Sequence, residues 1–309
     1  SGRLLRILKS PWRAWGKIRQ LEADIIHFHD SELLPMAYVL KKQGRRMIYD
    51  AHEDVPRDIL SKHWVPLPLR RSLAFVAEKI ENFVVRRLDG VVTATPFIAR
   101  RFACINSRCC DINNYPVLDE FSSTPENRPF SKTICYIGAI TRVRGLTPLV
   151  NALTYLPDVR LIVCGPFEDQ KCQNELRLQS GWNQVDYRGV VDRDAVAAIM
   201  AESEAGVVTF LPMPNHLDAQ PNKMFEYMAA GLPVLASHFP LWRQIIEENG
   251  CGVCVDPTDP VDIAKGIASL LADETQCRKM GQSGRRAVLE KLNWSREAEK
   301  LLDFYREIV

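Results

Sequence analysis

The sequence predicts an α/β protein built from two parallel-sheet units. Three observations carry that expectation. Short apolar runs alternate with longer stretches of helical periodicity along nearly the whole chain, the pattern of successive βαβ units. Several strand-like runs end in glycine or in polar clusters, as at Gly138, Gly165 and His52-Glu53-Asp54, where ligands of such sheets bind. The 309 residues, 46% hydrophobic and 25% charged, suit two globular units of ordinary size.

In chain order, residues 3–21 place Leu5, Leu8, Trp12 and Trp15 on one helical face. Arg6, Lys9, Arg13 and Lys17 lie largely elsewhere, and Pro11 interrupts. Two readings stay open: an interfacial segment on anionic lipid, and a scaffold helix on the sheet that follows. Strands are expected at 23–27, 46–49, 91–94 and 111–113, with helices at 32–42, 70–88 and 97–102 and a proline-punctuated loop at 61–69. Residues 122–131, SSTPENRPFS, have linker composition. A second unit then reads as strands at 134–137, 160–164, 185–188, 206–210, 234–236 and 253–255. Its helices start at 146 and span 195–200, 260–272, 275–292 and 295–308. The expected domains are 1–125 joined by 295–309, and 126–294.

Bulk properties exclude several classes. No apolar run has the length of a membrane span, and no signal-peptide pattern opens the chain. The nine cysteines have scattered spacing, so reduced thiols and a cytoplasmic location are expected rather than a disulfide scaffold. The lone Cys251-Gly-Val-Cys254 lacks the second pair a zinc site needs. Net charge is +2, yet residues 1–20 hold six basic residues and no acidic one. That is a local basic surface, not a nucleic-acid footprint. No Walker pattern is present.

The stretch 218–233, DAQPNKMFEYMAAGLP, reads as a turn feeding a short helix whose N-terminus faces a ligand. Pro221 suits the first helical turn, Met224, Phe225 and Met228 make an apolar face, and Gly231 with Pro233 ends the helix. Lys223 sits where a cation opposes the helix dipole, which makes sense beside a bound anion. Glu226 follows Asp218 by eight residues. This segment resembles the acidic-x7-acidic signature of retaining nucleotide-sugar glycosyltransferases of family 4 (group 1), with Ala229, Gly231, Pro233 and Val234 matching its A-x-G-x-P-V tail. Asp218 departs from the family's first Glu.

The resemblance implies a GT-B fold, two Rossmann-like domains with parallel sheets facing a cleft. It implies that Glu226 holds the donor ribose, that Asn222, Lys223 and Met224 meet the distal phosphate, and that Asp218 lies on the sugar side. Gly138 to Gly145 corresponds to the family's phosphate loop, with Ala139 in place of an Arg and Arg144 in place of a Lys. Arg142 and Arg144 are expected as leaving-group stabilisers. Gly165 and the segment Arg188-Gly189-Val190 fall on the donor side, the latter reading the base. His29 resembles the histidine that faces the transferred sugar, and Asp30, His52, Glu53 and Asp54 are acceptor-side candidates. His27-Phe28-His29-Asp30 also has the alternation of a metal site. No third histidine shows suitable spacing, so no metal is expected.

The expected function is a metal-independent transfer of a sugar, without cofactor, from a UDP- or GDP-linked donor to a saccharide or lipid-linked acceptor. Bacterial surface polysaccharide or lipopolysaccharide assembly is the setting, with peripheral contact at the inner membrane as a further partner. The alternatives are a nucleotide-sugar 2-epimerase of the same fold and a non-catalytic partner protein. Nothing before Ala23 resembles the glycine-rich turn that opens the family's first domain, and Ser1-Gly2 lacks an initiator Met. Leading strands are therefore expected to lie outside this sequence.

Overall fold

The computed structural model describes residues 11–61, 65–120 and 129–309. Leu5, Arg6, Leu8 and Lys9, and most of the expected linker, lie outside that range. Two compact units divide the chain: Ser1–Asn114 with Glu297–Val309, and Tyr115–Arg296.

In unit one, strands β1 (Ile25–His29), β2 (Arg46–Ala51), β3 (Gly90–Thr93) and β4 (Cys109–Asp111) form a parallel sheet in the order β1-β2-β3-β4. Helix α1 covers 11–18. It is followed by α2 (Leu34–Lys42), α3 (Val55–Ser61), α4 (Leu67–Val85) and α5 (Pro96–Ala103). The sheet is apolar on both faces, as parallel sheets must be. Phe28, Leu40, Met47, Tyr49, Val91 and Phe102 pack on one side. On the other, Ile48, Val92 and Ile112 meet Phe304 and Ile308 of the last helix, α13 (Trp294–Ile308). The fit there is close: a Cβ added to Gly90 would stand 2.6 Å from the Phe304 ring.

Unit two holds β5 (Thr133–Ile137), β6 (Arg160–Cys164), β7 (Val185–Tyr187), β8 (Ala205–Val208), β9 (Val234–Ser237) and β10 (Gly252–Val255), all parallel, in the order β10-β9-β8-β5-β6-β7. The connecting helices are α6 (Leu146–Ala152), α7 (Gln170–Arg177), α8 (Arg193–Ala201), α9 (Asn222–Ala230), α10 (Pro240–Asn249), α11 (Pro260–Leu271) and α12 (Glu274–Glu290). The chain winds outward from β5 to β7 and then returns to β8. That reversal makes β5 and β8 the topological switch point, where open α/β sheets bind ligands.

Several boundaries differ from the sequence expectation. The first strand reaches His29, because β2 continues to Ala51 and pairs His29 with Asp50. The supposed loop 61–69 ends early. Pro66 caps α4 and Pro68 lies in its first turn, where proline's missing N–H costs nothing. The same proline logic hid α3 and α10. Strand β4 lies at Cys109–Asp111, set by pairing of Val91 with Cys109. Pro221 is the cap of α9 rather than its first turn.

Candidate active site

The site in unit two is built from α9 upward. Tyr227 anchors the helix: its hydroxyl accepts the Ile137 amide at 2.8 Å, and Gly206 leaves room for its ring, which an added Cβ would meet at 2.2 Å. Lys223 is four residues earlier, so it shares this buried face. The Lys223 side chain is carried under the loop after β5 and the residue is only 7% exposed. Its Nζ lies 3.7 Å from the centre of the Tyr136 ring and 5.5 Å from that of Phe210. No hydrogen-bond acceptor among the described residues reaches it. Burial, then the like charge of Arg144, holds this ammonium well below the usual lysine range.

The loop above is shaped for close approach. Gly138 has φ 129°, and a Cβ there would stand 2.8 Å from Lys223 Nζ. Gly145, at φ 75°, passes so near the Thr209 carbonyl that any side chain would collide with it. Arg144 donates to the Ala139 carbonyl at 3.4 Å and rests over Phe210. Thr141, Thr209, Gln220 and Lys223 each bury a side-chain polar atom without a partner. They are four of the seven such atoms among the described residues, and all four lie beyond the carboxyl ends of β5 and β8 or at the start of α9. Unsatisfied polar atoms gathered in one place mark a site for a polar ligand.

The expected residues fare differently. The Met224 amide is taken by the Pro221 carbonyl at 3.0 Å, which leaves the amides of Asn222 and Lys223 at the open end of α9. Glu226, half-buried, accepts from Arg193 at 3.1 Å. Asp218 is half-buried in the preceding turn, which Trp242 pins by donating to the Ala219 carbonyl at 2.6 Å. Arg142 does not join Lys223 and Arg144. It is paired with Asp169 at 3.2 Å, Glu175 at 3.0 Å and Glu168 at 3.5 Å on the exposed side of the loop. Arg188 is likewise held, by Asp186 at 2.9 Å and by Glu202. Its neighbours contribute backbone: Gly165 donates to the Gly189 carbonyl at 2.7 Å, and Val190 is exposed.

Unit one gathers a second group. His27 and His29 share a face of β1, and the neighbouring β2 presents Asp50, with His52 two residues on. The Nε2 of His27 lies 3.2 Å and Nδ1 of His29 3.3 Å from Asp50 Oδ2, and His29 Nδ1 lies 2.8 Å from His52 Nε2. Burial pulls the Asp50 carboxyl upward, but the His27 hydrogen bond and the surrounding imidazoles outweigh it and hold the group below its usual range. Asp30, exposed, has φ 72°, the one non-glycine residue with positive φ among those described. Glu53 is exposed. Asp54 is drawn instead to Arg101 at 3.2 Å and Arg57 at 3.5 Å. The sequence reading missed Asp50 and Tyr305, whose hydroxyl meets His27 Nδ1 at 2.5 Å. The alternation D-x-H at residues 50–52, echoing H-x-H at 27–29, was the available signal.

Comparison with known proteins shows the family and the fold. The model for "Glycosyl transferases group 1" matches residues 119–287, and that for "Glycosyl transferase 4-like domain" matches residues 1–108. The chain is similar to the MMP alpha-(1->4)-mannosyltransferase of Mycolicibacterium hassiacum, 22% identical over 306 residues that span 94% of this chain and 72% of that protein. Among solved structures, sucrose-phosphate synthase from Thermosynechococcus elongatus superposes with TM-score 0.78 at 20% identity, covering 98% of this chain and 78% of that one. HepE of Anabaena, solved with UDP, gives TM-score 0.78 at 15% identity over 97% and 82% of the two chains. The architecture is that of the GT-B glycosyltransferases, and the chain belongs to the group 1 glycosyl transferase family.

Proposed function

We propose that the protein moves a sugar from a UDP- or GDP-linked donor, with retention of configuration, to a saccharide or lipid-linked acceptor in bacterial surface polysaccharide assembly. The observation that carries this reading is the buried Lys223 ammonium, held at the open end of α9 without an acceptor among the described residues. A buried cation in that state is costly unless an anion completes it. A diphosphate supplies the anion, with Arg144 and the Asn222 and Lys223 amides as further donors. Lys223 thereby takes the part that the resemblance assigns to an Arg at position 139, while Arg142 is tied to three carboxylates on the exposed side of the loop.

In this reading Glu226 accepts from the donor ribose hydroxyls, and Asp218 lies toward the sugar. As the bond from the anomeric carbon to the phosphate oxygen breaks, negative charge grows on the diphosphate. Lys223, Arg144 and the helix-end amides offset it. The acceptor oxygen bonds to the same face of that carbon, and its proton passes to the leaving phosphate, as the family implies. On unit one, His29, Asp30, His52 and Glu53 are assigned to the acceptor. No cofactor beyond the donor is invoked.

A lipid-linked acceptor is favoured by α4. Leu69, Leu73, Val76, Ile80 and Phe83 fall at alternating three- and four-residue steps, and all are exposed. Arg70, Arg71, Lys79, Arg86 and Arg87 lie on or just beyond the same helix. Beside it is a cavity of about 400 Å³ lined mainly by apolar residues, among them Trp12, Leu34, Met36 and Ile80. Among the described residues no helix is long and apolar enough to cross a membrane, and a basic apolar stripe of this kind suits contact with an anionic surface.

Thermal shift with UDP, GDP and their sugars tests the donor site. Stabilisation by one nucleotide series is expected, and it is lost in Glu226→Ala and in Lys223→Met. Equal shifts in both variants and the parent chain would overturn the assignment.

A further inference from the structure

We propose that His216 and Gln220 read the hydroxyl groups of the donor's sugar, and that this sugar is uncharged rather than a uronate. The inference rests on the donor-site reading above and deepens it.

Both residues lie on the segment 211–221 that joins β8 to α9, and that segment is pinned along its length. The Leu211 amide donates to the Val143 carbonyl at 2.9 Å, and the Ala219 amide donates to the His216 carbonyl at 3.3 Å. The imidazole of His216 packs on Phe210 with ring centres 5.0 Å apart. The Arg144 guanidinium lies 5.3 Å and Lys223 Nζ 5.5 Å from the centre of that same Phe210 ring. One phenyl ring thus gathers His216 with both cations assigned to the diphosphate.

What His216 offers there is an acceptor. Its Nδ1 lies 3.0 Å from the Leu211 carbonyl oxygen, which can only accept, so the ring proton belongs on Nδ1. Burial, with the like charge of Arg144, outweighs that carbonyl and holds the imidazole below its usual range. Nε2 therefore keeps its lone pair near neutral pH. Gln220 directly precedes Pro221, the cap of α9, and its Oε1 is buried without a partner among the described residues. A buried carbonyl oxygen in that state lacks a donor. Midway between the two residues along the chain is the carboxylate of Asp218.

The chemistry of the site divides accordingly. Lys223, Arg144 and the open amides of α9 donate, and a diphosphate can only accept. His216 Nε2, Gln220 Oε1 and the Asp218 carboxylate accept, and so call for groups that donate. In a sugar nucleotide the donating groups next to the diphosphate are the hydroxyls of the sugar. A uronate carboxylate would bring a second negative charge to Asp218 and no proton for the two lone pairs, which selects against it.

Calorimetric titration of the full chain tests this and the reading beneath it separately. UDP and GDP alone report the diphosphate site, and absence of binding by both would remove the donor-site reading and this inference with it. According to the nucleotide that binds, UDP-glucose, UDP-galactose and UDP-N-acetylglucosamine are then compared with UDP-glucuronate, or GDP-mannose with GDP-mannuronate. One neutral conjugate should bind at least about tenfold tighter than the uronate. His216→Asn can keep the bond to the Leu211 carbonyl while losing Nε2, and Gln220→Leu removes the buried oxygen. Each should weaken the neutral conjugate about tenfold relative to the free nucleotide measured on the same variant. Nucleotide binding with a uronate held as tightly as every neutral conjugate, or with that ratio unchanged in either variant, would overturn this inference and leave the diphosphate site standing.

Discussion

The Nζ of Lys223 lies directly beneath Gly138, where a single added carbon would approach it to 2.8 Å. Glycine is required on two counts, since φ of 129° at this residue is also a conformation that other side chains rarely adopt. Gly138→Ala should therefore cost on the order of 1–3 kcal/mol in stability. It should weaken nucleotide binding by more than its effect on folding accounts for, because Lys223 is pushed from its place. Urea unfolding beside calorimetric titration with UDP separates the two effects.

Lys223→Met should move stability and binding in opposite directions. It removes a buried cation that has no acceptor among the described residues, so the ligand-free protein gains on the order of 1 kcal/mol, offset in part by the lost contact with the Tyr136 ring. Nucleotide affinity falls. A variant that loses both would make Lys223 a packing residue.

The same lysine predicts proton linkage. Its pKa in the folded, ligand-free protein lies below the ordinary 10.5. Between those two values the unfolded chain binds more protons, so stability rises with pH across that window. A bound diphosphate favours the charged form and lifts the pKa again. Nucleotide binding in the window should then take up protons, seen by calorimetry in buffers of different ionisation enthalpy. Lys223→Met should abolish the uptake.

Arg142 and Arg144 are two residues apart and should behave unequally. Arg142 is exposed and engaged by Glu168, Asp169 and Glu175, so Arg142→Ala should leave nucleotide affinity nearly unchanged. Arg144→Ala should reduce it about tenfold or more, through loss of a charge-assisted donor. Dissociation constants for UDP in the two variants check the ordering.

The apolar stripe on α4 predicts sedimentation of the full chain with phosphatidylglycerol vesicles. Basic residues near such a surface contribute about 1 kcal/mol each, so binding should weaken with salt. The double change Leu73→Glu, Ile80→Glu should abolish it while far-UV circular dichroism stays native, because both side chains are exposed.

Much was legible in one dimension. Alternating strand and helix patterns announce parallel α/β units, since each pattern follows from the local repeat of a strand or helix. The 218–233 segment announces its own turn, helix and stop, because proline and glycine act on their own backbone. The place of Lys223 in a first helical turn was legible too. Three-dimensional packing decided the rest. That Lys223 is sealed from water depends on Tyr227 fastening α9 to β5, a contact between residues 90 positions apart. That Arg142 faces away depends on carboxylates from the following α/β turn. The join between His27 and Tyr305 spans 278 positions, and the assembly around Asp50 depends on the register of β1 against β2. Residue spacing constrains neighbours along the chain, but only the pairing of distant elements determines which side chains share one small volume.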